Sequence, residues 1–359
     1  MARLTAISGL GSKGPACFLL ETREARVLLD LGYGPQPGVL PNVDAVGTVD
    51  AVLLSHSHRD HAGGLALLEK IGNPPVYATD IVRRLLQSET KSRPLPLQGS
   101  TDIAGLRVTT GRSGHAPGGV WLHLAVDGGL LYMGDNSGES IVYASDAPPP
   151  ASTIIIDASY GAYETTFDEC VKKFDPVFDA GPVLLPIPVA GRGPEIALYL
   201  MRSHRAVPHI DDALRASLTR LATHDSACLK PGIAAELAQL AAESAMIEKP
   251  AGVMLAGAAD ATAGDAAKHV AAWEPEPTPA IVFTGYLPPG TPAERLTTSG
   301  RASYLRWNVH PRLADNAQLV RAVGAQIVLP AFGDATRHCH AWETAFAPAR
   351  VVVSGCAEF

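Results

Sequence analysis

Residues 53–65 read LLSHSHRDHAGGL, which puts His56, His58, Asp60 and His61 within six positions directly after an apolar run. His56 and His58 alternate at the end of an expected strand, so both side chains project to the same side. Asp60 and His61 follow where the chain must turn into a helix expected to begin near Gly63 and Gly64. Four metal-capable side chains therefore converge on one small volume. Neutral imidazoles with a carboxylate suit zinc, which in catalytic sites keeps one position for water. A solvated histidine-rich loop would account for a histidine pair, but not for a full HxHxDH after a strand.

More ligands are expected at later strand ends. His115 in SGHAPGG follows the strand LRVTT, and Asp135 closes the hairpin WLHLAVDGGLLYMGD, which turns at Asp127-Gly128. Either alone would be an ordinary loop residue. Spaced this way after HxHxDH, they complete a set for two ions. The positioning elements are short apolar runs: ARVLLDLG carries Asp30, VDAVLLSH ends at His56 and STIIIDASYG carries Asp157. Polar residues at the ends of apolar strands are where open α/β and sandwich folds place their sites. Leu65, Leu68 and Ile71 follow at helical spacing and stop at Gly72.

The chain has 359 residues, enough for two domains or for one domain with a large insertion. Hydrophobic residues make up 47% and charged residues 18%, an ordinary globular balance. A net charge of -7 argues against a globally basic nucleic-acid binder while leaving room for a local basic groove. The five cysteines are scattered without a CxxC pair, which argues against a disulfide framework and a cysteine zinc module. The start MARLTAISGLGSKG lacks a signal-peptide pattern, and no apolar run is long enough for a bilayer. A cytoplasmic protein without a membrane partner is expected, and a homodimer is among the arrangements open to it.

From about residue 164 the texture changes. GPVLLPIPVAGRGPEIALYLM reads as a βα unit, alanine-rich helical sequence follows to about residue 247, and AGVMLAGAADATAGDAAKHVAAW and AIVFTGYLPPGTPAERL read as two further units. In AGRGPE, Gly193 is the expected N-cap and Pro194 the first helical residue, so Arg192 would flank a helix N-terminus suited to phosphate. An arginine paired across a domain interface is the competing reading. AQIVLP and ARVVVSG are the expected last strands, with ARVVVSG closing the chain.

These residues resemble the metallo-β-lactamase superfamily, a four-layer αββα sandwich. Asp30 matches its first motif, His56, His58, Asp60 and His61 the second, His115 the third and Asp135 the fourth. The resemblance implies two zinc ions, with manganese as an alternative. His56, His58 and His115 would hold one, Asp60 and His61 the other, and Asp135 would bridge them. Asp30 would orient a ligand. Two ions bridged at about 3.5–4 Å lower the pKa of a shared water to about 7 and so supply a hydroxide nucleophile.

The second half is similar to the β-CASP branch, the RNA-processing nucleases such as RNase J and the mRNA 3′-end processing nuclease. SGLGSKGPACFLLE resembles the branch's first hairpin, IIIDASYGAYE its motif A with Asp157, PIPVAGRGPE its PxxxxGRxQE unit and RWNVHPRLAD its motif B with His310. The resemblance implies an α/β fold in which residues 1–163 and 306–359 build the sandwich and 164–305 form an inserted β-CASP α/β domain. Asp157 and His310 would pair, the carboxylate fixing the imidazole's tautomer so that His310 can protonate the leaving oxygen. The competing reading makes His310 the cap of a helix starting near Pro311.

The chain departs from the family pattern at motif C. In LPAFGD, Phe332 stands in the histidine's place, which removes a ligand from the second metal. His338 and His340 in RHCH are candidate substitutes, against the reading of an exposed first helical turn. LAGAADATAG replaces a phosphate-holding Ser/Gly-rich turn, with Thr262 left as a candidate anion contact. His123, His204, His209, His224 and His269 lack metal spacing. The expected activity is zinc-dependent phosphodiester cleavage of RNA or single-stranded nucleic acid, by attack of the metal-bound hydroxide with Asp60, Asp157 and His310 as catalytic residues. The alternatives are a hydrolase of small phosphodiesters or esters, and a non-catalytic subunit of an RNA-processing complex.

Overall fold

The computed structural model describes residues 2–86, 90–204 and 206–359; the side chain of His204 lies outside the described set. In chain order the strands are β1 (Arg3–Ser8), β2 (Cys17–Glu21), β3 (Arg26–Leu29), β4 (Ala51–Leu53), β5 (Val76–Thr79), β6 (Ser92–Leu95), β7 (Gly99–Ile103), β8 (Leu106–Arg112), β9 (Val120–Leu124), β10 (Leu130–Tyr132) and β11 (Thr153–Asp157). Then come β12 (Val183–Pro186), β13 (His209–Ile210), β14 (Val253–Ala256), β15 (Ala280–Phe283), β16 (Ala302–Tyr304), β17 (Ile327–Ala331), β18 (Arg350–Val351) and β19 (Cys356–Glu358).

Two compact units emerge. The first is Met1–Gly138 with Ala144–Glu164 and His310–Phe359; the second is Glu139–Tyr143 with Thr165–Val309. The expected divisions fell at 163/164 and 305/306 and counted residues 139–143 with the first part. That segment has its partners in the second unit: Lys230 N–H donates to the Val142 carbonyl at 2.9 Å, and Tyr143 Oη donates to the Gly191 carbonyl at 3.2 Å.

The first unit is an αββα sandwich, because its strands alternate. One seven-stranded sheet runs β19-β1-β2-β3-β4-β5-β6, the other β18-β17-β11-β10-β9-β8-β7. Phe18, Leu20, Val27, Leu29 and Leu53 from the first sheet meet Leu122, Tyr132, Ile155 and Leu329 from the second in the inter-sheet core. The intervening residues Leu19, Leu28 and Val52 face the other way, onto Leu65, Leu68 and Ile71. On the outer face of the second sheet Ile154, Ile156 and Val328 pack on Ala317, Val320 and Trp342. These last come from the helices Leu313–Val323 and Ala335–Phe346. No helix among the described residues is long and apolar enough to cross a membrane.

Two local expectations change in this unit. After His61 the chain forms one short helix, Arg59–Ala62, and then a 3₁₀ helix, Leu65–Ile71, instead of an α-helix beginning at Gly63. Leu65, Leu68 and Ile71 recur every three residues, the period that aligns on a 3₁₀ helix. ARVVVSG supplies only the two-residue β18, and the chain closes on β19, which pairs antiparallel with β1 from Arg3↔Glu358 to Thr5↔Cys356. GCAEF is too short to announce a strand; β1 supplies the pairing edge, and Ala357 is buried in the inter-sheet core.

The second unit has a five-stranded parallel sheet, β13-β14-β12-β15-β16. Its helix Arg192–Tyr199 is capped by Gly191, not Gly193. Gly191 adopts φ 126°, open to glycine alone. Gly193 is instead needed for close packing, since a Cβ there would stand 2.7 Å from Ile187 Cδ1.

Candidate metal centre

Strand ends of both sheets carry the site. Asp30 follows β3, His56 and His58 follow β4, His115 follows β8, Asp135 follows β10, and Asp157 is the last residue of β11. The HxHxDH loop is fastened to the segment after β3 by backbone hydrogen bonds. Leu31 N–H donates to the His61 carbonyl and Tyr33 N–H to the Arg59 carbonyl, each at 2.9 Å. Ala16 N–H donates to the Asp60 carbonyl at 2.7 Å. Gly32 is obligatory between them, because a Cβ there would lie 1.8 Å from the Asp60 carbonyl oxygen.

Two groups of metal-capable atoms converge on Asp135. One is His56, His58, His115 and Asp135; the other is Asp60, His61 and Asp135; within each group the donor atoms lie within 4.8 Å of one another. His115 Nε2 stands 3.1 Å from His58 Nδ1 and 3.5 Å from Asp135 Oδ2. His56 Nε2 is 3.7 Å from Asp135 Oδ2, and His61 Nε2 is 3.1 Å from Asp135 Oδ1.

Asp30, fully buried, turns His61 toward this centre. Its carboxylate accepts from His61 Nδ1 at 2.7 Å, Ser55 N–H at 2.7 Å, Ser55 Oγ at 2.6 Å and Tyr132 Oη at 2.5 Å. With Nδ1 engaged, Nε2 is the nitrogen presented to Asp135. Ser55 Oγ also lies 3.1 Å from His56 Nδ1, which leaves His56 Nε2 facing the cluster. That buried nitrogen has no hydrogen-bond partner among the described residues. A buried imidazole nitrogen without a partner among imidazoles and carboxylates is what a metal-ligand set requires, so the residues fit a divalent ion.

At His56 the electrostatics agree. Burial holds His56 well below the usual imidazole range, and its histidine neighbours add to this against the pull of Asp135; the neutral form is the one that ligates. Burial alone would also lower His61, but the Asp135 and Asp30 carboxylates overcome it and hold it well above that range. Burial would raise Asp135, yet His61, His310 and His115 keep it well below the carboxylate range.

Asp157 and His310 adjoin the centre. His310 Nδ1 is 2.7 Å from Asp157 Oδ2 and 3.9 Å from Asp135 Oδ2, and Asp135, Asp157 and His310 form a third metal-capable group. His310 does not cap the following helix. That helix begins at Leu313 with Arg312 as its N-cap, and Asp315 accepts from the Arg312 N–H at 3.0 Å.

Just under half of the chain is similar to the metallo-β-lactamase superfamily. Residues 11–173 match that superfamily's model. Among relatives, transcription termination factor FttA of Cenarchaeum symbiosum is 30% identical over 250 residues, covering 55% of this chain and 38% of that protein. Ribonuclease TTHA0252 of Thermus thermophilus is 26% identical, with 77% of each chain covered. These relatives are β-CASP members of the superfamily. A crystal structure of a protein of unknown function from Enterococcus faecalis V583 shares the fold, with TM-score 0.60 and 13% identity over 98% of this chain and 97% of that one. The chain spans between 38% and 57% of the first three FttA proteins it matches.

Other expected site residues join none of these metal-capable groups among the described residues. Thr262 Oγ1 donates to Asp260 at 2.7 Å, an acidic neighbour where an anion contact was expected. Arg192 donates through Nη1 to the Thr284 carbonyl at 2.9 Å, within the second unit. His338 and His340 lie in the helix Ala335–Phe346 and join none of the metal-capable groups among the described residues. Sequence reasoning missed Ser55 and Tyr132, which hold Asp30, Asn136, whose N–H reaches Asp157 Oδ2 at 3.3 Å, and Lys13, 4.0 Å from Asp60 Oδ2. Ser55 sits between Leu54 and His56, a position that could have marked it; Tyr132 and Lys13 had no local signal.

Proposed function

We propose that this chain is a zinc-dependent hydrolase that cleaves phosphodiester bonds in RNA or single-stranded nucleic acid. The observation that carries this is the Asp157–His310 pair beside Asp135, which joins a proton-handling imidazole to a metal-ligand set. The ribonuclease name of one relative supports RNA as the substrate. His56, His58, His115 and Asp135 would hold one ion, and Asp60, His61 and Asp135 a second, with manganese the alternative to zinc. When bound, such ions supply Lewis acidity and lower the pKa of water.

The chain's own residues divide the remaining work. Asp135 is the carboxylate common to both positions. Asp30 fixes the tautomer and tilt of His61 through Nδ1. Asp157 accepts from His310 Nδ1, which leaves Nε2 to pass a proton to the departing oxygen. Cleavage of end-labelled RNA and DNA by the zinc- or manganese-loaded chain tests the reading. Accumulation of shorter RNA is expected, and no cleavage of any nucleic acid at full metal occupancy would sink it. The net charge of -7 favours a second reading, hydrolysis of small phosphodiesters. Turnover of bis(p-nitrophenyl) phosphate without RNA cleavage would select it.

A further inference from the structure

We infer that the two metal positions are unequal: the chain holds one ion firmly at His56, His58, His115 and Asp135, and fills the position at Asp60 and His61 only when metal is abundant. This rests on the metal-dependent reading above and specifies how many ions the resting protein carries.

The donor sets already differ. The first position offers three imidazoles and a carboxylate; the second offers Asp60, His61 and the same shared Asp135. The second position is also contested. Lys13 Nζ lies 4.0 Å from Asp60 Oδ2, and the two side chains are only 23% and 24% exposed. A divalent cation entering there must displace this ammonium or sit beside a like charge, in surroundings that screen less than water does.

Phe332 closes the other side. Its ring stands T-shaped to the His61 imidazole with centroids 5.0 Å apart, and it also meets Phe18 at 6.1 Å. The residue follows β17 directly, a strand-end place like those from which Asp30, His56 and Asp135 serve the site. There it offers hydrocarbon, with no lone pair to donate. It is buried, and its backbone lies in the left-handed region at φ 64°, where a bulky residue is uncommon. Its N–H donates to the Gly9 carbonyl at 2.7 Å, which holds the backbone in that conformation. Three protein ligands, one of them shared, a neighbouring ammonium and an apolar ring together make a weak site.

Metal analysis of the whole chain, dialysed after zinc loading, and calorimetric zinc titration test this. One zinc per chain is expected to survive dialysis, with the second binding about 100-fold more weakly or less. His61→Ala should keep the firm ion and His58→Ala should lose it. Lys13→Ala and Phe332→His should each tighten the second site about tenfold or more. Lys13→Ala, in a partly exposed loop, carries this arm should Phe332→His fail to fold by circular dichroism. Two zinc ions retained per wild-type chain would overturn the inference and leave the hydrolase reading standing. A firm ion lost in His61→Ala and kept in His58→Ala would overturn it as well. No zinc retained at all would remove the metal-dependent reading itself.

Discussion

His310 Nδ1 lies 2.7 Å from Asp157 Oδ2, a pairing of residues 153 positions apart. Asp157 also accepts from Asn136 N–H at 3.3 Å and Ser159 N–H at 3.1 Å, and Asn316 Nδ2 donates to its backbone carbonyl at 2.8 Å. So anchored, the carboxylate sets the imidazole's tautomer. His310→Ala is expected to lower kcat for RNA cleavage by about 10²–10⁴, the range of a lost general acid or base. Asp157→Asn should fall in the same range, because an amide can present N–H to Nδ1 and reverse the tautomer. RNA affinity and zinc content should stay within a few-fold of wild type. A variant that cleaves normally, or that loses its zinc, would take the proton-transfer role away from the pair.

Asp30 accepts from Ser55, His61 and Tyr132 while fully buried, so its carboxylate organises three side chains at once. Asp30→Asn keeps the backbone, since asparagine tolerates the observed φ of 59°. It places an amide N–H₂ against donors. Unfolding in denaturant should show a loss of about 3 kcal/mol, with weaker zinc retention in the same preparation. An unchanged midpoint would contradict this account of Asp30.

Gly32 has no room for a side chain, its virtual Cβ falling 1.8 Å from the Asp60 carbonyl oxygen and 2.8 Å from Ala16 N. Both contacts are with backbone, which cannot swing aside as a side chain would. Gly32→Ala should therefore push the Arg59–Ala62 helix away and cost about 3 kcal/mol of stability. Thermal melts of apo protein separate this cost from that of losing metal. Gly38→Ala is the control for adding a methyl, although its φ of 81° carries its own smaller strain.

Glu195 is buried in the second unit, where Ser140 Oγ donates to its carboxylate and Trp307 Nε1 donates at 3.0 Å. Burial pushes its carboxyl from 4.5 to about 7, with the Ser140 and Trp307 hydrogen bonds opposing. A carboxyl raised on folding stabilises the fold below its unfolded value and loses that contribution as pH rises through the folded one. Between pH 4.5 and about 7 wild type should therefore lose about 3 kcal/mol relative to Glu195→Gln. Denaturation of both proteins at pH 5 and pH 8 measures the difference, and a gap independent of pH would contradict it.

Much of this protein was legible in its sequence. HxHxDH is local, and once a strand precedes it the alternation of side chains dictates that His56 and His58 share a side. The apolar runs before Asp30, Asp135 and Asp157 likewise announce strand ends, and their alternation produces the two-sheet core. Only the tertiary structure decided what faces what. Lys13 reaches Asp60, Phe332 covers His61 and Tyr132 grips Asp30 across long stretches of chain. The same holds for β19, a three-residue segment that is a strand because β1 offers an edge, and for residues 139–143, whose partners lie in the second unit. Sequence determines what a side chain can do within reach of its own backbone; which distant groups come within hydrogen-bond distance depends on sheet order and register, which burial of the whole core selects.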